Sequence, residues 1–221
     1  MKKGIVTMLI MSAVGTAMAA GNIEAGAEKA VVCAACHGQK GISINPEWPN
    51  LAGQSAQYIL KQLQDFKSGE RQDPVMMGQV AGLTEEDMVN LAAYFSAQEP
   101  APAATNGVGD EPDEMLALGQ AIYRGGDMEA GIPACAACHG PTGAGIAPAA
   151  FPRVSAQHAQ YTRKQLLAFH SAAHEEGLAS DANKAALKMR ANDPNQMMRG
   201  VAGNMTPKQI EAVSYYIQGL N

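Results

Sequence analysis

The 221-residue chain is written twice. "VVCAACHGQKG" (31–41) returns as "PACAACHGPTG" (133–143), and "LAGQSAQYILKQLQDF" (51–66) returns as "VSAQHAQYTRKQLLAF" (154–169). Each copy then closes with a Met-rich stretch, a threonine and an amphipathic segment. Duplication on this scale calls for two similar units, each built around the same pattern. The junction "QEPAPAATNGVGDEPDE" (98–114) is rich in Pro and Gly and has no apolar periodicity, so it reads as an extended linker. The boundary falls near residue 105, giving domains 20–104 and 105–221.

The periodicity inside each copy is helical. Tyr58, Leu63 and Phe66 share their spacing with Tyr161, Leu166 and Phe169. The last segment opens with Thr84-x-x-Asp87 in one copy and Thr206-x-x-Gln209 in the other, both resembling a capping box. Met88, Leu91, Tyr94 and Phe95 follow at the spacing of one helix face, and Ile210, Val213, Tyr216 and Ile217 repeat them. Short helices are also expected over 23–33 and 113–123, so the fold class is all-α. These periodic apolar residues are read as core.

All four cysteines fall in two copies of Cys-x-x-Cys-His: Cys33, Cys36 and His37, then Cys135, Cys138 and His139. On a helical turn, positions i and i+3 share a face and i+4 lies beside them. Two thiols so placed can each add to one vinyl group of a haem, while the imidazole points at the iron, which is the c-type attachment device. The competing readings are weaker. A thioredoxin-like Cys-x-x-Cys needs a strand–helix context, zinc needs four ligands, and a disulfide between i and i+3 closes too small a loop to constrain the chain. Two covalently bound haem c groups are therefore expected.

Each iron needs a sixth ligand, and each copy offers a Met pair between its middle and last helices. Counting back eight positions from the capping threonines selects Met76 and Met198, with Met77 and Met197 as the alternatives. The neighbouring Met of each pair is then a gap-filler. An iron-bound His commonly donates its other ring N–H to a fixed carbonyl. Pro46 and Pro148 each lie nine positions after their His, so their carbonyls are the expected acceptors. The remaining histidines are not expected to be ligands. The first copy has Ser55 in place of His158, and His170 and His174, though spaced i and i+4, have no third partner and read as solvated. From His to Met the second copy is longer, 59 positions against 39, and the extra stretch, about Ala172–Asn192, reads as a surface excursion or a partner-recognition surface.

Lys2 and Lys3, the apolar run from Gly4 to Gly15 and Ala17-Met18-Ala19 have the three-part form of a secretory signal peptide, residues 1–19, cleaved after about Ala19. The apolar run is shorter than the roughly 20 residues of a spanning helix. Losing the two lysines takes the formal charge from −5 to −7, which argues against a nucleic-acid partner.

With these residues assembled, the chain resembles the dihaem cytochromes c4 over essentially the whole exported protein. The likeness is carried by "CAACHG" twice, "LAGQSAQYILKQLQDF", "NLAAYF", "YRGGDMEAGIPACAACHG", "FPRVSAQHAQYTRKQL" and "AVSYYIQGL". The resemblance implies two class I cytochrome c folds facing each other across a pseudo-twofold axis, with His37/Met76 and His139/Met198 ligating the irons. It implies a periplasmic carrier of single electrons, not an enzyme, working between respiratory redox proteins. The acceptor would be a terminal oxidase and the donor a cytochrome, a cupredoxin or a membrane complex, with peripheral membrane association left open. The rival readings are a dihaem peroxidase, which needs one displaceable sixth ligand, and a haem-based redox or gas sensor.

Overall fold

A computed structural model describes residues 21–174 and 190–221. The expected signal peptide and residues 175–189 of the extra stretch lie outside the described residues. The first copy folds as α1 (Ile23–Ala30), α2 (Ala34–His37), α3 (Ala56–Ser68), α4 (Pro74–Val80) and α5 (Glu85–Ser96). The second supplies α6 (Pro112–Gly125), α7 (Ala136–His139), α8 (Ala159–His174), α9 (Met197–Ala202) and α10 (Pro207–Gln218). Among the described residues, β pairing is confined to two isolated bridges, Asp127 with Ile132 and Ile146 with Phe151. The all-α expectation holds.

The helix boundaries are set by local chemistry. Asn22 caps α1 by accepting the Ala25 N–H. Thr84 Oγ1 accepts from Asp87 N at 3.1 Å, and Asp87 Oδ2 accepts from Thr84 N at 2.9 Å, so the expected capping box opens α5. Thr206 and Gln209 do the same for α10, with Pro207 pre-set for the first turn. At its other end α3 stops at Gly69, whose φ of 85° is the left-handed conformation of a helix end.

In each copy the first and last helices cross at a glycine. A Cβ on Gly26 would lie 2.1 Å from the Asn90 carbonyl oxygen, and one on Gly119 would lie 2.3 Å from that of Ala212. Only a hydrogen side chain lets α1 approach α5, and α6 approach α10, this closely. Around the first crossing pack Met88, Leu91 and Phe95, each 2% exposed, with Ile59 and Leu60 of α3. Around the second pack Ile210, Val213 and Ile217 with Tyr123, Leu166 and Phe169. Burying each large side chain contributes about 1.5–3 kcal/mol. Most residues chosen by periodicity are thus core, but Tyr58, Leu63, Tyr94, Tyr161 and Tyr216 are only half-buried.

The two copies meet through α3 and α8, with the same contacts made in both directions. Arg71 lies over the Phe66 ring and donates to Gln62, Tyr161 and Gln165. Arg190 lies over the Phe169 ring and donates to Gln165, Tyr58 and Gln62. Burial pushes the Tyr58 phenol up, but the Arg190 and Arg71 guanidiniums beside it outweigh that and hold it below the usual tyrosine range. Arg190 and Asn192 belong to the end of the extra stretch. That end is no surface excursion, since Arg190 is buried and Asn192 donates to Gln62 and Asp65 of the first copy. The linker runs along both copies, with Pro100 against Gly53, Thr105 against Gly219, and the Ala104 carbonyl accepting from Gln218.

Candidate functional site

Each Cys-x-x-Cys-His motif is one short helix. Cys33 N-caps α2 and Cys135 N-caps α7, and the His N–H closes the turn back onto the first Cys carbonyl at 2.9 Å in both. Each turn ends at a glycine with positive φ, Gly38 at 77° and Gly140 at 79°, which frees the chain to leave beneath the imidazole. No disulfide joins the four cysteines. Burial pushes the Cys33 thiol up and that of Cys135 up to about 11.

His37 and His139 are buried, at 7% and 9% exposure. Burial lowers both imidazole pKa values, a shift that the neighbouring carbonyl partly opposes, so the rings are neutral. His37 Nδ1 donates to the Pro49 carbonyl at 2.9 Å, and His139 Nδ1 donates to the Pro152 carbonyl at 2.9 Å. A neutral ring protonated at Nδ1 carries its lone pair on Nε2, the atom a metal would take. The acceptor is therefore a proline carbonyl in each copy, but not that of Pro46 or Pro148. The turn after His139 is one residue longer than the turn after His37, so an equal count from the His cannot find equivalent positions. Pro49 and Pro152 instead stand two residues before Leu51 and Val154, where the copies align from the helix side.

The methionine segments differ in path but converge in register. In the first copy Asp73 caps α4 by accepting from Val75 and Met76 N–H. In the second, Asn195 (φ 53°) and Gln196 (φ 58°) are both left-handed and absorb two additional residues after the Asp-Pro pair. Buried Asp193 then accepts from Arg199 N and pairs with the Arg199 guanidinium at 2.8 Å. Met76 stands four residues before buried Val80, and Met198 four residues before buried Ala202. Both are half-buried, whereas Met77 and Met197 are exposed. Met88 and Met205 are core.

Three histidines read as bystanders have defined partners. His158 Nε2 donates to the Ser43 carbonyl across the copies at 2.9 Å. His170 Nδ1 donates to the Ala202 carbonyl and His174 Nε2 to that of Gly203, both at 2.8 Å, tying α8 to the end of the Met-bearing α9. The expectation that His170 and His174 are simply solvated is corrected, because the final carbonyls of a helix lack the donor of a following turn and accept from other groups, although His174 itself stays exposed. Among the described residues no group of three or more His, Cys, Asp or Glu side chains could hold a metal ion.

The donor set fits a covalently held haem. Two cysteines outside any disulfide and a buried neutral imidazole share one turn, and Ile44, Trp48, Val75 and Met77 in the first copy are exposed along the segments between His and Met. The family model for cytochrome c matches residues 23–98 and again 116–221. The chain is 41% identical to cytochrome c4 of Azotobacter vinelandii over the full length of both chains. The chain belongs to the cytochrome c4 family. Its structure matches that of reduced cytochrome c4 from Pseudomonas stutzeri with a TM-score of 0.76 and 39% identity, covering 91% of this chain and all of the other. A thiosulfate dehydrogenase electron acceptor of Stutzerimonas stutzeri is 35% identical, over 85% of this chain and 78% of that one. Like other cytochrome c4 proteins, this one is an electron carrier and not an enzyme, with two haem c groups held through Cys33 and Cys36 and through Cys135 and Cys138. No helix among the described residues is long and apolar enough to cross a membrane.

Proposed function

We propose that His37 with Met76, and His139 with Met198, are the axial ligands of the two irons, in domains spanning 20–104 and 105–221. On this reading the exported chain carries single electrons in the periplasm towards a terminal oxidase. The observation that supports it most is the equivalence of the two sites. Each sets a buried imidazole, fixed by a proline carbonyl, in the same copy as a half-buried thioether one helical turn before a buried anchor. A bound haem would supply the iron that cycles between ferrous and ferric states. The polypeptide fixes the ring tautomer, aims Nε2 and supplies thioether sulfur, a ligand that raises the potential relative to a second imidazole.

The test is a redox titration of purified holoprotein with spectra of the oxidised form. Two equivalents of the far-red band of thioether-ligated ferric iron are expected, with Met76→Leu and Met198→Leu each removing one and Met77→Leu and Met197→Leu removing none. Peroxide turnover would favour the peroxidase, and rapid carbon monoxide binding by the untreated reduced protein would favour the sensor. The likeness to a thiosulfate dehydrogenase electron acceptor supports a second reading of the donor side, in which an enzyme oxidising a sulfur anion delivers the electrons.

A further inference from the structure

The two iron-facing histidines are linked to each other's domain by a repeated hydrogen-bond device. The amide that joins Pro49 to Asn50 is used at both ends. Its carbonyl accepts from His37 Nδ1 at 2.9 Å, and its N–H donates to Gln157 Oε1, in the other copy, at 2.8 Å. Gln157 Nε2 then donates to the Asn50 carbonyl at 2.9 Å, so one side chain grips both polar groups of Asn50. The mirror arrangement holds His139. The Pro152 carbonyl accepts from His139 Nδ1, and the N–H of the same amide donates to Gln54 Oε1 at 2.9 Å. Gln54 Nε2 donates to the Arg153 carbonyl at 2.8 Å.

The backbone is shaped for this. Gly53 and Ala156, the residues immediately before the two glutamines, are both left-handed, at φ 67° and 56°. For an alanine that conformation costs about 1–2 kcal/mol, which only a demand of the surroundings would sustain. In both copies this residue donates its N–H to the last helix of its own domain, Gly53 to the Phe95 carbonyl and Ala156 to the Ile217 carbonyl. The glutamine that follows is thereby anchored at its base and delivered across the interface.

We propose that Gln54 and Gln157 are crossed positioning residues, each setting the electron affinity of the iron in the domain opposite its own. The proposal rests on the His/Met ligation reading above. An acceptor on the amide N–H polarises the amide and makes its carbonyl oxygen a stronger acceptor for the imidazole N–H, as hydrogen bonds in a chain reinforce one another. A more strongly held Nδ1 proton makes the imidazole a better electron donor and favours ferric iron. Docking of the two domains is then part of what sets each potential.

The test uses holoprotein carrying Gln157→Leu or Gln54→Leu, which keep much of the packing volume and remove both interdomain hydrogen bonds, together with the one each glutamine Oε1 accepts from the next residue's N–H, His158 or Ser55. Each iron is followed through its own domain-assigned haem methyl resonances during a redox titration. Gln157→Leu is expected to shift the first-domain haem at least threefold towards the reduced form, about 28 mV at 59 mV per tenfold change, and to leave the second-domain haem in place. Gln54→Leu is expected to do the reverse. Exchange of the opposite histidine's Nδ1–H should quicken in each variant, and Gln157→Ala and Gln54→Ala should repeat the pattern. A shift on the variant's own domain, equal shifts on both haems, or no shift while the parent shows two imidazole–thioether irons would overturn the proposal. If the parent itself lacks two such irons, the ligation reading fails and this inference fails with it.

Discussion

Replacing Gly119 and Gly125 by alanine separates what helix propensity dictates from what packing dictates. Both glycines lie in α6, and neither has a positive φ. Propensity alone favours alanine at an interior helical position by about 0.5–1 kcal/mol. At Gly125, an exposed position with nothing within 4 Å of an added Cβ, that gain should survive, reduced because the residue closes the helix. At Gly119 the added Cβ would sit 2.3 Å from the Ala212 oxygen, 2.7 Å from Tyr216 Cβ and 2.8 Å from the Ala212 carbonyl carbon. A carbon–oxygen contact needs about 3.3 Å, so α6 and α10 must part by about 1 Å at their crossing. Overpacking of this kind costs about 1–3 kcal/mol. Because two of the three atoms are backbone and cannot rotate away, the upper end applies, for a net loss of about 2 kcal/mol. At about 4–8 °C per kcal/mol for a domain near this size, the second domain should melt roughly 8 °C or more below the parent. Urea and thermal unfolding of the holoprotein by circular dichroism, with the haem spectrum as a second probe, measures both variants. If Gly119→Ala proves neutral or stabilising, the close crossing is not what holds α6 against α10.

Three further outcomes follow from the geometry. Arg190→Ala removes donors from Gln165, Tyr58 and Gln62 together, so it should cost about 2–3 kcal/mol and widen the interdomain distance in solution scattering; an unchanged scattering profile would count against α3 and α8 as the clasp. The Thr84 N–H, with Lys29 and the Thr84 hydroxyl, holds the Asp87 carboxyl down to about 2. Its folded pKa lies below the unfolded value, so its stabilisation is full above about pH 4 and is lost as pH falls through about 2; Asp87→Asn should flatten the acid limb of a urea-stability profile between those values, and parallel profiles would refute it. Asp193→Ala removes the carboxylate that pairs with the Arg199 guanidinium at 2.8 Å, so it should destabilise the second domain by about 1–3 kcal/mol and weaken the thioether band of that haem alone, a result that loss of both bands would contradict.

How much was legible depended on whether the signal was local. The capping boxes could be read from Thr84-x-x-Asp87 and Thr206-x-x-Gln209 because a helix start is decided within four residues. The core faces of α5 and α10 were equally plain, since burial there follows the helical repeat. Counting back from the capping threonines puts Met76 and Met198 in one register, and the structure keeps that register, each four residues before a buried anchor, Val80 or Ala202. The same counting from His37 and His139 pointed to Pro46 and Pro148, and it failed because the intervening turns differ by one residue while the helix-side anchor does not. His170 and His174 looked solvated because nothing in sequence places Ala202 and Gly203 above them.

By itself, then, the sequence determined the duplication, the all-helical units and the two thiol–imidazole turns, all features set by residues within a few positions of one another. Only the tertiary structure decided which carbonyl fixes each imidazole, that Arg190 and Asn192 close the interface, and that Gln54 and Gln157 reach the opposite histidine's amide. Each imidazole finds its carbonyl 12 or 13 positions on, across a turn whose path no short-range pattern sets; the interdomain contacts join residues about a hundred positions apart, and their geometry exists only once both domains have folded and docked.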